Sequence, residues 1–466
     1  MNIPEEMKIL LLAFALSLVI VSRDATYSAE QQRPNVIIIF SDDLGYGDLG
    51  CYGATEFETP HIDRMAAEGM RFTDFYVAAS VCSASRAALL TGRYPVRTGV
   101  TGVISANSKK ALPLAERTLA ERFKTSGYAT AIFGKWHLGN TPDVWPLKQG
   151  FDEWFGTVGS NDMGKGRPSL EQRRAGKAGV ELVENATVVE VNPDQTKLTR
   201  RYTSRAVDFI QRNKGRPFFL YLPHNMPHTP IFASKKFAGT TKRGLYGDVV
   251  AEIDWSVGEI LAAVKRADLD ERTIVLFTSD NGPWLIFGDH GGSAGPLSGG
   301  KKQTLEGGMR VPMIIRWPGR VPAGAQCQNM VTALDLTPTL LALCGTRIDT
   351  ARIDGRDVSP WLLQKNEATV EEKPFFYFWE RELRAVRSGR WKLQLKHVDH
   401  QTPDPEAVGN DGKRGAVLTV SRPQALFDLQ ADPGETTDVS EKHADRVKTL
   451  LNLAQAGKAI AEAKRP

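Results

Sequence analysis

Asn35-Val36-Ile37-Ile38-Ile39-Phe40-Ser41-Asp42-Asp43 is the stretch on which the architecture of this chain turns. A continuous β-branched run buries both faces of a strand, because alternate side chains point to opposite sides. It therefore marks a central strand of a parallel sheet, as in an α/β protein. The run stops at two carboxylates. On a regular strand adjacent side chains face opposite ways, so Asp42 and Asp43 can serve one site only where the chain leaves the strand. The C-terminal edge of the strands is also where α/β sheets bind ligands. Two bare Asp there suggest a hard divalent cation, Ca²⁺ or Mg²⁺, with a solvated acidic turn as the alternative.

The same strand-then-helix rhythm continues outward. Gly45-Tyr46-Gly47-Asp48-Leu49-Gly50 matches the dinucleotide fingerprint formally, but it runs on into loop rather than a helix, and acids occupy the turn a pyrophosphate would need. The first helix is expected at Thr59 as N-cap, Pro60 at N1 and Gly69 as terminator. Glu116 to Ser126 has helical spacing and is closed by Gly127; Tyr128 to Phe133 then reads as a strand delivering Gly134-Lys135-Trp136-His137. Phe218 to Leu222 is a strand leading to Pro227-His228-Thr229-Pro230, and Gly244 to Ala267 an amphipathic helix. Thr273 to Thr278 is a buried strand ending in Ser279-Asp280-Asn281-Gly282, and a Gly-rich loop carries Lys301 and Lys302 to a strand at Val311 to Trp317. From about Thr346 the grammar changes to short strands at Phe375 to Trp379, Arg384 to Arg387 and Trp391 to Lys396, a loop at Pro403 to Gly415, and a helix from about His443. This predicts a smaller antiparallel domain, giving three parts: 1–29 a signal peptide, 30–345 a catalytic domain, and 346–466 a C-terminal α+β domain.

Composition narrows the function classes. The chain has 466 residues, 41% hydrophobic and 24% charged, which excludes wholesale disorder and a polytopic membrane protein. A formal net charge of +5 without a long basic block argues for anionic substrates and against a nucleic-acid partner. Lys8 followed by the apolar run Ile9 to Val21 is too short to span a bilayer and fits a signal h-region. Export is therefore expected, to the periplasm, an extracellular space or a lumen, with an uncleaved anchor as the alternative and no stable membrane partner. Export permits disulfides; if Cys82 is spent on catalysis, Cys51, Cys327 and Cys344 leave at most one bridge. Asn185-Ala186-Thr187 is a glycosylation sequon, meaningful only in a eukaryotic secretory route.

One further stretch carries the chemistry: Val81-Cys82-Ser83-Ala84-Ser85-Arg86-Ala87-Ala88-Leu89-Leu90-Thr91-Gly92-Arg93. It places a Cys at the mouth of a short helix, where unpaired N–H groups make an anion site, with Arg86 one turn on. A lone Cys here would read as a small buried side chain. Cys82 to Arg86 with Ala87 to Arg93 resembles the signature of the type I sulfatases, in which this Cys becomes formylglycine. Gly127-Tyr128-Ala129-Thr130 followed by Gly134-Lys135-Trp136-His137 resembles the second signature of that family. Ala84 stands where many members have Pro, a substitution the family tolerates.

The resemblance covers the chain from about Arg33 to Leu426-Phe427-Asp428-Leu429 and Asp432-Pro433-Gly434-Glu435, and it is greatest to arylsulfatase A and N-acetylgalactosamine-6-sulfatases. It implies an alkaline-phosphatase-like sandwich with a large mixed, mostly parallel sheet flanked by helices. It implies sulfate-ester hydrolysis through a formylglycine hydrate at position 82 and a divalent metal, Ca²⁺ rather than Mg²⁺, held by Asp42, Asp43, Asp280 and Asn281 with the modified Cys82. Arg86 and Lys135 would hold the hydrate, His137 serve as its base, His228 and Lys301 meet the sulfate and leaving oxygen, and Ser160 make a polar contact. Lys301 keeps the family's interval to Glu306 and is preferred over Lys302. A formylglycine-generating enzyme is the implied maturation partner, and a sulfated galactose-type or galactosamine-type sugar or an aryl sulfate the implied substrate. Two alternatives stay open: a phosphate or phosphonate ester hydrolase using the same apparatus, and an inactive secreted carbohydrate-binding protein.

Overall fold

The computed structural model describes residues 33–164, 168–346, 352–364 and 370–463. The segment read as a signal peptide, 1–29, lies outside them. Asn35–Ser41 forms β1, buried along its whole length, and Pro60–Ala67 forms α1. Met70–Phe72 and Phe75–Tyr76 are β2 and β3; Cys82–Thr91 is α2, and Leu119–Thr125 is α3. Strands β4 to β7 span Ala129–Phe133, Glu153–Thr157, Glu181–Glu184 and Thr187–Val191. Helix α4, Leu198–Arg212, leads to β8, Phe218–Pro223, and α5, Leu245–Arg266, to β9, Thr273–Ser279. Then come β10 to β12 at Met313–Arg316, Ala325–Cys327 and Val331–Thr332, and α6 at Ala333–Leu343.

Ten strands make one sheet in the order β11-β2-β10-β9-β1-β8-β4-β5-β6-β7. Its middle, β9-β1-β8-β4-β5, is parallel, while β10 runs antiparallel to β9. The sheet is mixed, mostly parallel, and covered on both faces. The alternation of β1 divides between two cores. Val36, Ile38 and Phe40 pack with residues of α2, α3 and α6; Ile37 and Ile39 pack with those of α1, α4 and α5. Each buried aliphatic side chain contributes about 1.5–3 kcal/mol, which is why the uninterrupted run of β1 occupies the centre.

Expected elements recur with shifted ends. The helix foreseen from Glu116 starts at Leu119, because Thr118 and Glu121 form a reciprocal capping box that fixes its first turn. Between Gly164 and Gly179 lies a short helix, Leu170–Arg174, capped by Ser169 and Gln172; residues 165–167 lie outside the description. The four cysteines are free thiols. Among the described residues no helix is long and apolar enough to cross a membrane.

Beyond α6, β13 (Phe375–Trp379), β14 (Glu382–Ser388), β15 (Trp391–Gln394) and β18 (Ala425–Asp428) form a four-stranded antiparallel sheet in that order. Between β15 and β18 a hairpin, β16 (His397–Pro403) and β17 (Val417–Arg422), stands apart, and the loop expected at Pro403 to Gly415 is largely its connection. Helix α7, Ala444–Glu462, packs on β14. This sheet is sewn to the main one through buried charge. The Lys392 ammonium of β15 donates to Glu306 Oε1 at 3.0 Å and lies 2.7 Å from Glu435 Oε1. Tyr377 donates to Glu306 Oε1 at 3.0 Å, and Tyr76 of β3 to its Oε2. Burial works against the Glu306 charge, but Lys392, then Arg387 and Arg310, hold its carboxyl down at about 2. Lys392→Met keeps the volume and leaves two buried carboxylates facing each other. It is expected to cost about 3–5 kcal/mol, read as a lowered thermal unfolding midpoint.

Candidate active site

Register brings the strand ends level. Phe40 and Ser41 of β1 pair with Thr278 and Ser279 of β9, and Phe40 also with Pro223 of β8. The residues immediately after these strands therefore meet at one edge. Asp43 leaves β1 with φ of 66°, the left-handed turn that lets two successive carboxylates face one site. Its N–H donates to Asp280 Oδ1 at 3.1 Å, and Asn281 Nδ2 donates to Asp43 Oδ1 at 2.7 Å. After β4, Gly134 has φ of 136°, and a Cβ there would lie 1.9 Å from the Pro223 carbonyl oxygen. Only glycine lets β4 and β8 approach this closely while sending Lys135 into the site. Its ammonium donates to Asp42 Oδ2 and, at 3.3 Å, to Ser160 Oγ beyond β5.

Helix α2 supplies the opposite wall. All ten of its residues are buried, and Gly92 ends it in the left-handed conformation. Arg86 donates from Nη2 and Nε to Asp280 Oδ2, at 2.7 and 3.0 Å, and its Nη2 lies 3.6 Å from Asp42 Oδ2. Cys82 is 1% exposed. Burial pushes its thiol up, against the pull of Lys135 and Lys301. His137 Nε2 donates to the Ile104 carbonyl at 2.9 Å, which leaves Nδ1 as the bare nitrogen, buried and without a partner. Burial and then the nearby Lys135 and Arg86 charges keep this imidazole neutral.

Lys301 donates to both Asp43 oxygens, at 2.6 and 2.8 Å. His228 lies with Nδ1 3.4 Å from Ser160 Oγ and Nε2 3.8 Å from Asp43 Oδ2. Every candidate from the sequence thus falls in one buried cluster: Asp42, Asp43, Cys82, Arg86, Lys135, His137, Ser160, His228, Asp280, Asn281 and Lys301. Lys302, at φ of 73°, is not among the groups paired with these carboxylates. One side chain that no motif points to is Trp284, three residues after Asn281. Its ring centroid is 4.4 Å from the Lys301 ammonium and 5.4 Å from the His228 ring. His224, by contrast, faces Ser256 in the core, where burial lowers its pKa to about 3.

The donors suit a hard divalent cation. Asp42, Asp43 and His228 each offer a ligand atom within 4.8 Å of one another. Asp42 Oδ1 and Asn281 Oδ1 are buried oxygens without a hydrogen-bond partner, an arrangement that is costly unless something else binds them. Burial works to raise the Asp42 carboxyl, but Lys135 foremost, then His228, Arg86 and Lys301, hold it well below the usual range.

Comparison with known proteins agrees with this geometry. Residues 34–346 match the sulfatase family, and 370–465 match the C-terminal region of aryl-sulfatase. N-acetylgalactosamine-6-sulfatase of Mus musculus is 42% identical over 450 residues, covering 90% of this chain and 84% of that protein. Arylsulfatase A of Bos taurus is 41% identical over 429 residues, covering 87% and 83%. The crystal structure of the PsFucS1 sulfatase from Pseudoalteromonas sp. superposes with a TM-score of 0.81 at 26% identity, over 95% of this chain and 94% of that one. With its ten-stranded sheet and the buried cluster at its strand ends, this chain belongs to the sulfatase family, enzymes that hydrolyse sulfate esters.

Proposed function

We propose that this sulfatase works through a formylglycine made from Cys82 and a divalent cation, Ca²⁺ in preference to Mg²⁺, held by Asp42, Asp43, Asp280 and Asn281. The observation that carries this reading is the convergence of a buried, protonated Cys82 with orphaned carboxylate and amide oxygens and three cations in one site. A thiol kept protonated is a poor nucleophile, whereas a hydrated aldehyde at that position would supply one hydroxyl to attack sulfur and a second to expel sulfate. The cation, bound among hard oxygen donors, would lower the pKa of a hydroxyl and draw charge from sulfate oxygens.

The chain's own groups have definable tasks. A sulfate monoester is an anion, so a nucleophile can approach sulfur only where fixed positive charge screens the repulsion and takes up charge on the equatorial oxygens. Arg86, Lys135 and Lys301 supply that charge in a dry site, each already oriented by a carboxylate. The bare Nδ1 of His137 is the acceptor for a proton from position 82, its orientation fixed by the Ile104 carbonyl. His228 and Lys301 offer N–H donors to the leaving oxygen, with Ser160 orienting His228. The substrate we infer is a sulfated galactosamine-type or galactose-type sugar, with small aryl sulfates also turned over. Support comes from the mouse relative's name and from the chain's net positive charge. We infer an exported protein that requires a maturation enzyme.

Three measurements test this. Peptide mass spectrometry of active protein is expected to find Cys82 with sulfur replaced by oxygen and two hydrogens lost; intact cysteine in fully active enzyme would refute the modification. Asp42→Ala is expected to lower kcat by about 10³-fold or more and to abolish metal content by elemental analysis, with activity of the native protein lost on exhaustive chelation. Sulfate release from a panel of 6-, 4- and 2-O-sulfated sugars, alongside paired aryl sulfate and aryl phosphate, is expected to favour sulfate over phosphate and the galactosamine series over N-sulfated glucosamine.

A further inference from the structure

Next to Lys301, the backbone places a second lysine in a conformation that L side chains rarely adopt. Lys302 has φ of 73°, the left-handed region in which a Cβ crowds the following carbonyl oxygen. The turn is held from both sides: Lys301 N–H donates to the Pro283 carbonyl at 2.8 Å and Lys302 N–H to the Ser80 carbonyl at 2.9 Å. The Lys302 ammonium sits 5.4 Å from the centroid of Trp284, the indole that also lies under Lys301. It has no carboxylate partner among the described residues, in a site where Arg86, Lys135 and Lys301 each have one.

A third cation arrives from the hairpin β16–β17. Asp399 of β16 accepts from Gln303 Nε2 at 2.9 Å, and Arg422 of β17 donates to the same carboxylate. The connecting loop is clamped onto the segment after Trp284: the N–H groups of Gly409 and Gly415 both donate to the Ile286 carbonyl, at 3.2 and 2.7 Å. Arg414 precedes that second clamp. It is exposed and makes no ion pair among the described residues, and its loop lies against the segment that follows Trp284, the ring beside which the Lys302 ammonium rests. Burial lowers the Lys302 ammonium, and Lys301 and then Arg414 lower it further. Two unpaired cations therefore crowd a third at the rim of the sulfate pocket, an arrangement that self-repulsion disfavours until an anion enters.

We propose that Lys302 and Arg414 form an anion subsite beside the sulfate pocket, which binds a second negatively charged group of the substrate. That group is a second sulfate ester on the same sugar or the carboxylate of an adjoining uronate. The proposal rests on the reading of Lys301 and His228 as the groups that meet the scissile sulfate ester. It explains why a strained backbone position carries a long cationic side chain, and it makes the preferred substrate an acidic sugar with at least two charges.

The test measures kcat/KM for the mature enzyme and for Lys302→Gln and Arg414→Gln. The substrates are an aryl monosulfate, a 6-monosulfated galactosamine, its 4,6-disulfated form, and a 6-monosulfated disaccharide carrying an adjacent uronate. The native enzyme is expected to favour a doubly charged substrate by about 10-fold or more, with the disulfated and uronate arms identifying which anion is read. Each variant is expected to lose about 10-fold on that substrate, mainly in KM, and less than about 3-fold on the aryl sulfate. The salt dependence of the doubly charged substrate is expected to flatten in the variants. Equal losses on all substrates, or a native enzyme indifferent to the second charge, would overturn the subsite. Failure of the native enzyme to turn over any sulfate would instead sink the reading of the site on which it depends.

Discussion

Three carboxylates buried at the ends of two adjacent parallel strands are the constraint that the rest of this molecule answers. Asp42, Asp43 and Asp280 sit where neither water nor backbone can stabilise all of their charge, and each is met by a cation sent from a different part of the chain. Arg86 comes from the first turns of α2, Lys135 from the end of β4 and Lys301 from a glycine-rich loop. Removing any one would leave an uncompensated buried charge. The same compensation gives a site that receives an anionic ester its preorganised positive field, and orphaned oxygens on Asp42 and Asn281 leave room in the ledger of bonds for a hard cation.

Stability and function are joined through the Gly-rich segment from Gly299 to Met309. At one end it delivers Lys301 to Asp43. At the other, Glu306 is gripped by Lys392, Tyr377 and Tyr76, so the C-terminal sheet anchors from behind the segment that carries Lys301. The hairpin β16–β17 fastens the same segment at Gln303. The antiparallel portion of the chain thus braces the segment that carries Lys301.

How much of this could be read in advance follows from the range of each interaction. The β-branched run of β1 and the Asp pair at its end identified the central strand and the ligand-binding edge, because strand burial and strand polarity are local properties. The two signatures contain Cys82, Arg86, Lys135 and His137, and the family resemblance they carry named the rest of the cluster. Helix and strand ends were displaced by a few residues where a cap intervened, as at Thr118 and Glu121. The hairpin β16–β17 was not foreseen, since its strands are half-exposed and rich in polar residues, without a continuous apolar run.

The sequence by itself determined which elements form, which edge of the sheet carries chemistry, and which residue types gather there, since periodicity, capping and spacing act within a few residues. Only the tertiary structure decided the pairings: Arg86 on Asp280 across 194 positions, Lys301 on Asp43 across 258, and Trp284 beneath two lysines. Those depend on strand register and on how separate segments pack. No local pattern encodes them, because each is fixed by the sum of burial and hydrogen bonding over the whole fold.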